Sequence, residues 1–306
     1  MRQLRLVLAT ALTAGWTLAA SAADPQHFRS AQAAVDALVA AVRGDDRPTL
    51  LTILGSDAEA ILSSGDPVQD RAIRNRFLAM YDQGHKLDRI ATRTILELGN
   101  SDWPFPIPLA SDATGWRFDT AAGKREILLR RVGGNELWTI QSMLAYVDAQ
   151  EDYGELQRTG GGPVVFAQRI LSTPGTRDGL YWPTQAGEPL SPLGPLVADA
   201  RAEGYRAPAD GQPGRSPYHG YLYRVLTAQG PHAAGGAVDY VAGGRMIGGF
   251  ALIATPARYG DSGVMTFIVS HHGIVYQKNL GPQSDTLAAQ IAHFDPDPSW
   301  QAVDLP

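Results

Sequence analysis

Met265-Thr266-Phe267-Ile268-Val269-Ser270-His271-His272-Gly273-Ile274-Val275-Tyr276-Gln277 is the stretch that decides the fold class. Two runs rich in β-branched and aromatic residues, Met265–Ser270 and 274–277, flank His272-Gly273, where a hairpin turn belongs. That spacing predicts two antiparallel strands. Upstream, residues 221–227, 237–241 and 246–254 have the same strand composition, and Gly243-Gly244 marks a further turn. The C-terminal part is therefore expected to be mainly antiparallel β.

The N-terminal part reads differently. Ala31, Ala34, Val35, Leu38, Val39 and Val42 recur at the spacing of one helix face, with Ser30 as N-cap. Asp46 and Pro48 open a second helix that Gly55 ends, and Ser56-Asp57-Ala58-Glu59 reads as the capping box of a third. Asp66-Pro67 opens a fourth, with an expected buried stripe of Ile73, Phe77, Met80 and Tyr81. Its Arg71, Arg74 and Arg76 read as a solvated face balanced by Asp66, Asp70 and Asp82. Residues 92–98 and Gly115–Phe118 have strand composition. The proline ladder Trp103-Pro104-Phe105-Pro106-Ile107-Pro108 between them fits only a sheet edge or an extended segment. Helix returns from Asn135 to about Glu155, with Leu137, Ile140, Leu144 and Val147 on one stripe. The expectation is an α+β chain, a helical N-terminal part with a small sheet followed by a mainly antiparallel β part. Thr159-Gly160-Gly161-Gly162-Pro163 divides it into 23–158 and 159–306, as two domains or one continuous fold.

Residues 1–22 read as a secretory leader: Arg2 and Arg5, an apolar stretch from Leu6 to Leu18, then Ala20-Ser21-Ala22, with cleavage expected after Ala22. The stretch is interrupted by Thr10, Thr13, Gly15 and Thr17, and falls short of the roughly 20 apolar residues a span requires. No stable membrane insertion is expected after cleavage. Localisation to a bacterial periplasm or exterior follows. The 306-residue chain is 44% hydrophobic and 19% charged, globular values that exclude disorder. Its formal charge of −5, without a Lys/Arg-dense run, argues against a nucleic-acid partner. The absence of cysteine excludes disulfides, thiolate nucleophiles and Cys-ligated zinc.

Several strings carry a likeness to a known family. Gly115-Trp116-Arg117-Phe118-Asp119-Thr120-Ala121-Ala122-Gly123-Lys124, residues 167–183 (AQRILSTPGTRDGLYWP), residues 217–230 (PYHGYLYRVLTAQG), residues 245–250 (RMIGGF) and residues 265–281 resemble the bacterial domain-of-unknown-function family 2950. The resemblance covers nearly all of the chain beyond the leader. It implies a secreted α+β protein of bacterial envelopes, with no activity or catalytic residues attached.

Candidate site residues come from three places. His219, with Tyr218 and Tyr221 beside it and Asp239 downstream, supplies the ingredients of acyl transfer. No Gly-x-Ser-x-Gly elbow presents a serine, so a strand histidine bonded to a backbone carbonyl is the competing reading. Asp178-Gly179-Leu180-Tyr181-Trp182 sets a turn carboxylate beside two large aromatics, either a binding platform or a packed joint. If the loop 207–217 folds over the sheet, Asp178, Tyr181, Trp182, Tyr218 and His219 could share a cleft. Adjacent in a strand, His271 and His272 should face opposite ways and cannot grip one metal. With no His-Glu-x-x-His, EF-hand or phosphate-loop spacing, no metal and no cofactor are expected.

The resulting expectation is an exported envelope protein with a non-catalytic binding or accessory role, its partner another envelope protein or a cell-wall polymer. The alternatives are an envelope hydrolase using His219 and Asp239 with Tyr221 or a serine, and a structural assembly subunit.

Overall fold

Local signals set the first helices. Ser30 accepts the Ala33 N–H at 3.1 Å and starts α1 (Ala31–Arg43), whose Val35, Leu38 and Val39 are buried. Asp46 accepts from Thr49 to cap α2 (Arg47–Leu54). A short 3-10 turn leads into α3 (Glu59–Leu62), and Asp66 caps α4 (Pro67–Gln83). These lie in a computed structural model that describes residues 24–158, 162–185, 187–205 and 216–304. The expected leader, part of the glycine-rich stretch and most of the loop 207–217 fall outside the described residues.

A five-stranded sheet follows: β1 (His85–Ile90), β2 (Arg93–Leu98), β3 (Trp103–Pro104), β4 (Leu109–Asp112) and β5 (Gly115–Phe118), in the order β1-β2-β4-β5 with β3 on β2. Trp103 and Pro104 of the proline ladder pair with β2, and the Phe105 N–H donates to the Leu96 carbonyl of β2 at 2.8 Å; the ladder's prolines supply no donors. β2 alternates, burying Thr94, Leu96 and Leu98 against the helices. With Ile53, Leu109 and Phe118 these form the first core.

α5 (Thr120–Leu156) then runs for 37 residues, about 55 Å. It begins well before the expected Asn135, because Asp119 caps it and the chain passes Gly133-Gly134 without a break. Its buried face is Ile140, Met143, Tyr146, Val147 and Tyr153, whereas Leu137, expected on the buried stripe, is 63% exposed. Ile127 packs on the first core, while Ile140 and the residues beyond it belong to the second. The two cores therefore meet along α5, upstream of the glycine-rich stretch.

The second core is built on an antiparallel sheet. After α6 (Gly194–Glu203) come β6 (Tyr221–Leu226), β7 (Ala228–Gln229), β8 (Val238–Asp239), β9 (Val241–Ala242), β10 (Arg245–Met246), β11 (Ala251–Pro256), β12 (Met265–Ser270) and β13 (Val275–Asn279). α7 (Ser284–Gln290) and β14 (Gln301–Ala302) complete it, and the main sheet order is β14-β13-β12-β11-β6. The 237–241 run is split between the ribbons β7-β8 and β9-β10, and 246–254 is broken by Gly248-Gly249. Neighbouring β6 residues show how the sheet is covered. The Tyr223 hydroxyl donates to Thr139 Oγ1 of α5 at 3.4 Å, while Arg224 donates to the Ala288 carbonyl of α7 at 2.8 Å. With helices on opposite faces, β11 and β12 are buried at almost every residue and read as continuous apolar runs.

Candidate functional site

The Tyr218-His219-Gly220-Tyr221 segment closes a tight turn. Tyr218 and Tyr221 exchange both backbone hydrogen bonds, and His219 and Gly220 both take positive φ (46° and 74°), the geometry of a two-residue I′ turn. His219 is thereby held in the left-handed region and its ring turned inward, where it is buried. The imidazole lies on the Trp138 indole of α5, with centroids 4.7 Å apart and planes 7° apart. Burial holds its pKa below the ordinary 6.5, against the opposing pull of Asp66.

Asp66 ties this turn to the first half of the chain. One carboxylate oxygen accepts the Val68 and Gln69 N–H groups at the start of α4, 3.1 Å each. The other accepts the Tyr205 hydroxyl at 2.7 Å and the Gly220 N–H at 3.2 Å. Glu203, at the end of α6, sits 3.3 Å from His219 Nε2, outside hydrogen-bond geometry. Burial first, then the Asp199 and Asp66 carboxylates, push the Glu203 pKa up from its ordinary value.

The other sequence candidates separate. Asp239 is exposed on β8, paired through its backbone with Ala228; the carboxylates facing His219 are Glu203 and Asp66. Tyr221 is fully buried, its hydroxyl donating to the Met265 carbonyl at 2.9 Å, and burial pushes its pKa up strongly. Asp178 organises its own turn, accepting from the Thr173 N–H and hydroxyl and from the Thr176 hydroxyl. Trp182 is buried edge-on against Tyr153, under the Arg177 guanidinium. Tyr153 and Trp138 stand about 22 Å apart along α5, so the Trp182 and His219 clusters form on separate stretches of that helix. Tyr181 comes nearer: Arg201 of α6 lies over its ring at 5.1 Å, while Glu203 of the same helix approaches His219. His271 and His272 do not point apart as expected. β12 ends at Ser270, both fall in the turn, and their rings lie 4.3 Å apart.

Trp138 also lines a concave site. Between α4 and α5, a cleft of about 640 Å³ opens over the first core, within the range of about 300–1,000 Å³ usual for small-ligand sites. Ile73 and Phe77 of α4, Ile127 and Trp138 of α5, and Trp103 and Phe105 line it. Ile73 is 50% exposed and Trp138 51%, so the stripe expected to be buried on α4 in part lines an open cleft. The arginines of α4 are not balanced as the sequence suggested. Asp66 caps the helix, Asp70 accepts the Ser64 N–H and Asp82 pairs with Arg43, while Arg74 pairs with Asp45 at 3.3 Å. Arg74 and Arg76 both line the cleft. Spacing gave one signal for it: Gln69, Ile73, Arg76 and Met80 share a helix face, too mixed for core and too apolar for solvent.

Among the described residues no group of three or more His, Cys, Asp or Glu could hold a metal ion, and no helix is long and apolar enough to cross a membrane. A family model described as "Protein of unknown function (DUF2950)" matches residues 25–303. No curated protein and no solved structure matches the chain.

Proposed function

We propose, from the premise that this chain belongs to the DUF2950 family of proteins of unknown function, that it is an exported bacterial envelope protein that binds a small apolar ligand without transforming it. One observation carries the reading. The cleft between α4 and α5 holds about 640 Å³ and keeps apolar side chains, Ile73 and Trp138 among them, half exposed at its mouth. Leaving such surface in water is costly, and a ligand that covers it recovers that cost. A concave site of this size favours a small molecule over the envelope protein or wall polymer that the sequence suggested. The charge–grease–small order of residues 1–22 supports export.

The hydrolase reading gains less support. The rings of Tyr218 and Tyr205 lie 4.3 and 5.7 Å from that of His219, and the Tyr205 hydroxyl is committed to Asp66. Tyr221 is committed to a backbone carbonyl in the core.

Expression in a bacterial host tests the proposal. The protein recovered from the periplasmic extract should begin at Ala23 and release an apolar small molecule into organic solvent. The variant Gly134→Leu should release none, because its side chain would enter the cleft where an added Cβ meets nothing within 4 Å. A product starting at Met1 in the membrane fraction would overturn export. Equal release by both proteins would overturn the cleft.

A further inference from the structure

We infer that α5 bends at Gly133-Gly134, so that the second half of the chain swings against the first and moves the Trp138 wall of the cleft. As a control on access to the cleft this rests on the binding role proposed above, but the bend itself is measured without a ligand. The glycines come first. α5 holds four, and packing explains two of them: a Cβ would lie 2.7 Å from Ile107 at Gly123 and 2.6 Å from Val164 at Gly154. At Gly133 and Gly134 an added Cβ meets nothing within 4 Å among the described residues, and neither takes a positive φ. No close approach and no turn requires glycine there. What remains is backbone freedom, which weakens a helix interior and lets it kink.

The pair sits where the two halves meet. Ile127, before it, packs on the first core, and Ile140, after it, belongs to the second. The cleft spans the same point: Ile127 and Arg130 line it from positions before the glycines, and Trp138 from a position after them. Trp138 is held to the second half by its stack on His219. A bend at the pair therefore carries Trp138 with the second half, leaves Ile127 with the first and changes the width of the mouth.

Polar bonds latch the halves together. Asp66 accepts from Tyr205 and Gly220, Arg131 pairs with Asp261, and Arg258 donates to the Ser63 carbonyl at 3.2 Å. The buried apolar residues form two separate cores instead of one that would weld the halves into a single body. A joint of this kind permits relative motion, because water takes over each polar bond as it opens. In the shut form Arg131 Nε and Gln69 Oε1 are buried with no hydrogen-bond partner among the described residues, a penalty that opening to water removes.

The absence of cysteine lets two nitroxide labels be placed at chosen positions. Double electron–electron resonance on Asn75→Cys/Asp152→Cys, exposed sites on α4 and near the far end of α5, reads the angle between the halves. A kink of about 20° at the glycines swings Leu156, about 33 Å beyond Gly134, through about 11 Å. The labelled chain should show a second distance several ångströms from the main one. Adding Gly133→Ala/Gly134→Ala, which stiffens the helix without a clash, should remove the second distance. Adding Arg258→Gln, which cuts an exposed part of the latch, should shift weight toward it. The pair Asp57→Cys/Asn75→Cys, both within the first half, should give one distance in every background. A single distance for Asn75/Asp152, a distribution that the two alanines leave unchanged, or an equal spread in the Asp57/Asn75 pair would overturn the bend. With no ligand in the sample, any of these results leaves the binding cleft standing.

Discussion

The indole of Trp138 lies nearly parallel to the imidazole of His219, with centroids 4.7 Å apart, and Trp138 also forms part of the cleft wall. One side chain thus joins the cleft to the Tyr218–Tyr221 turn. Trp138→Ala should cost about 1–2 kcal/mol, roughly half the loss for a fully buried tryptophan, because half of this side chain is already in water. Chemical denaturation measures it, and an unchanged midpoint would mean the stack contributes nothing.

The turn itself depends on Gly220. A Cβ there would lie 2.4 Å from Asn135 Nδ2 and 3.0 Å from Ser262 Cβ, on a backbone already at positive φ. Gly220→Ala is expected to cost about 3 kcal/mol, the sum of backbone strain and a displaced α5 contact. Gly273 has a similar φ of 71° with nothing within 4 Å of an added Cβ, so Gly273→Ala should cost only about 1 kcal/mol. Paired thermal melts separate the two contributions; equal losses would show that the contact with Asn135 is unimportant.

Asp66 gathers two N–H donors from its own helix start and two more donors from Tyr205 and Gly220, 139 and 154 positions away. Removing its side chain in Asp66→Ala loses an N-cap and leaves the Gly220 N–H buried without its acceptor. A loss of about 3 kcal/mol follows from those two effects together. Asp66→Asn keeps an acceptor and should lose less. If the two variants melted alike, the network would not be holding the halves together.

His219 gives the protein an acid-sensitive element. Burial depresses its pKa below 6.5 in the folded chain, so the unfolded chain binds the proton first as pH falls. Stability contributed by this residue is complete above about pH 6.5 and is lost as pH falls below it toward the folded pKa. His232 behaves oppositely: its hydrogen bond to Asp295 raises its pKa, so its contribution is present in acid and lost as pH rises through the folded value. A histidine NMR titration should place His219 below 6.5 and His232 above it, with His219 moving back toward 6.5 in Trp138→Ala. A His219 that titrates at or above 6.5 in wild type would contradict its burial.

The elements legible in the sequence are those with local causes. Ser30, Asp46 and Asp66 announce helix starts because each cap acts within three residues, and Met265–Ser270 announces a strand because apolar β-branched residues fill it. α5 was legible only in its second half. Two adjacent glycines cost about 1 kcal/mol each in a helix interior and read as a break, yet packing on two cores carries the helix through them. The candidate site was legible in its ingredients and not in its assembly. His219 stood out as a residue, but its neighbours Asp66 and Trp138 lie 153 and 81 positions away in the chain and leave no local trace. Arg131 lies outside the helix expected from Asn135 onward, and its partner Asp261 is 130 positions away and leaves no local trace.

The most direct measurement is methyl NMR of isoleucine-labelled protein titrated with 1-decanol, an uncharged and mainly apolar probe. The cleft account predicts saturable shifts at Ile73, Ile107 and Ile127, which line the cleft, with Ile253 and Ile268 of the second core unmoved. Shifts confined to the second core, or no saturable shift at the cleft isoleucines, would contradict the claim that the space between α4 and α5 is the ligand site.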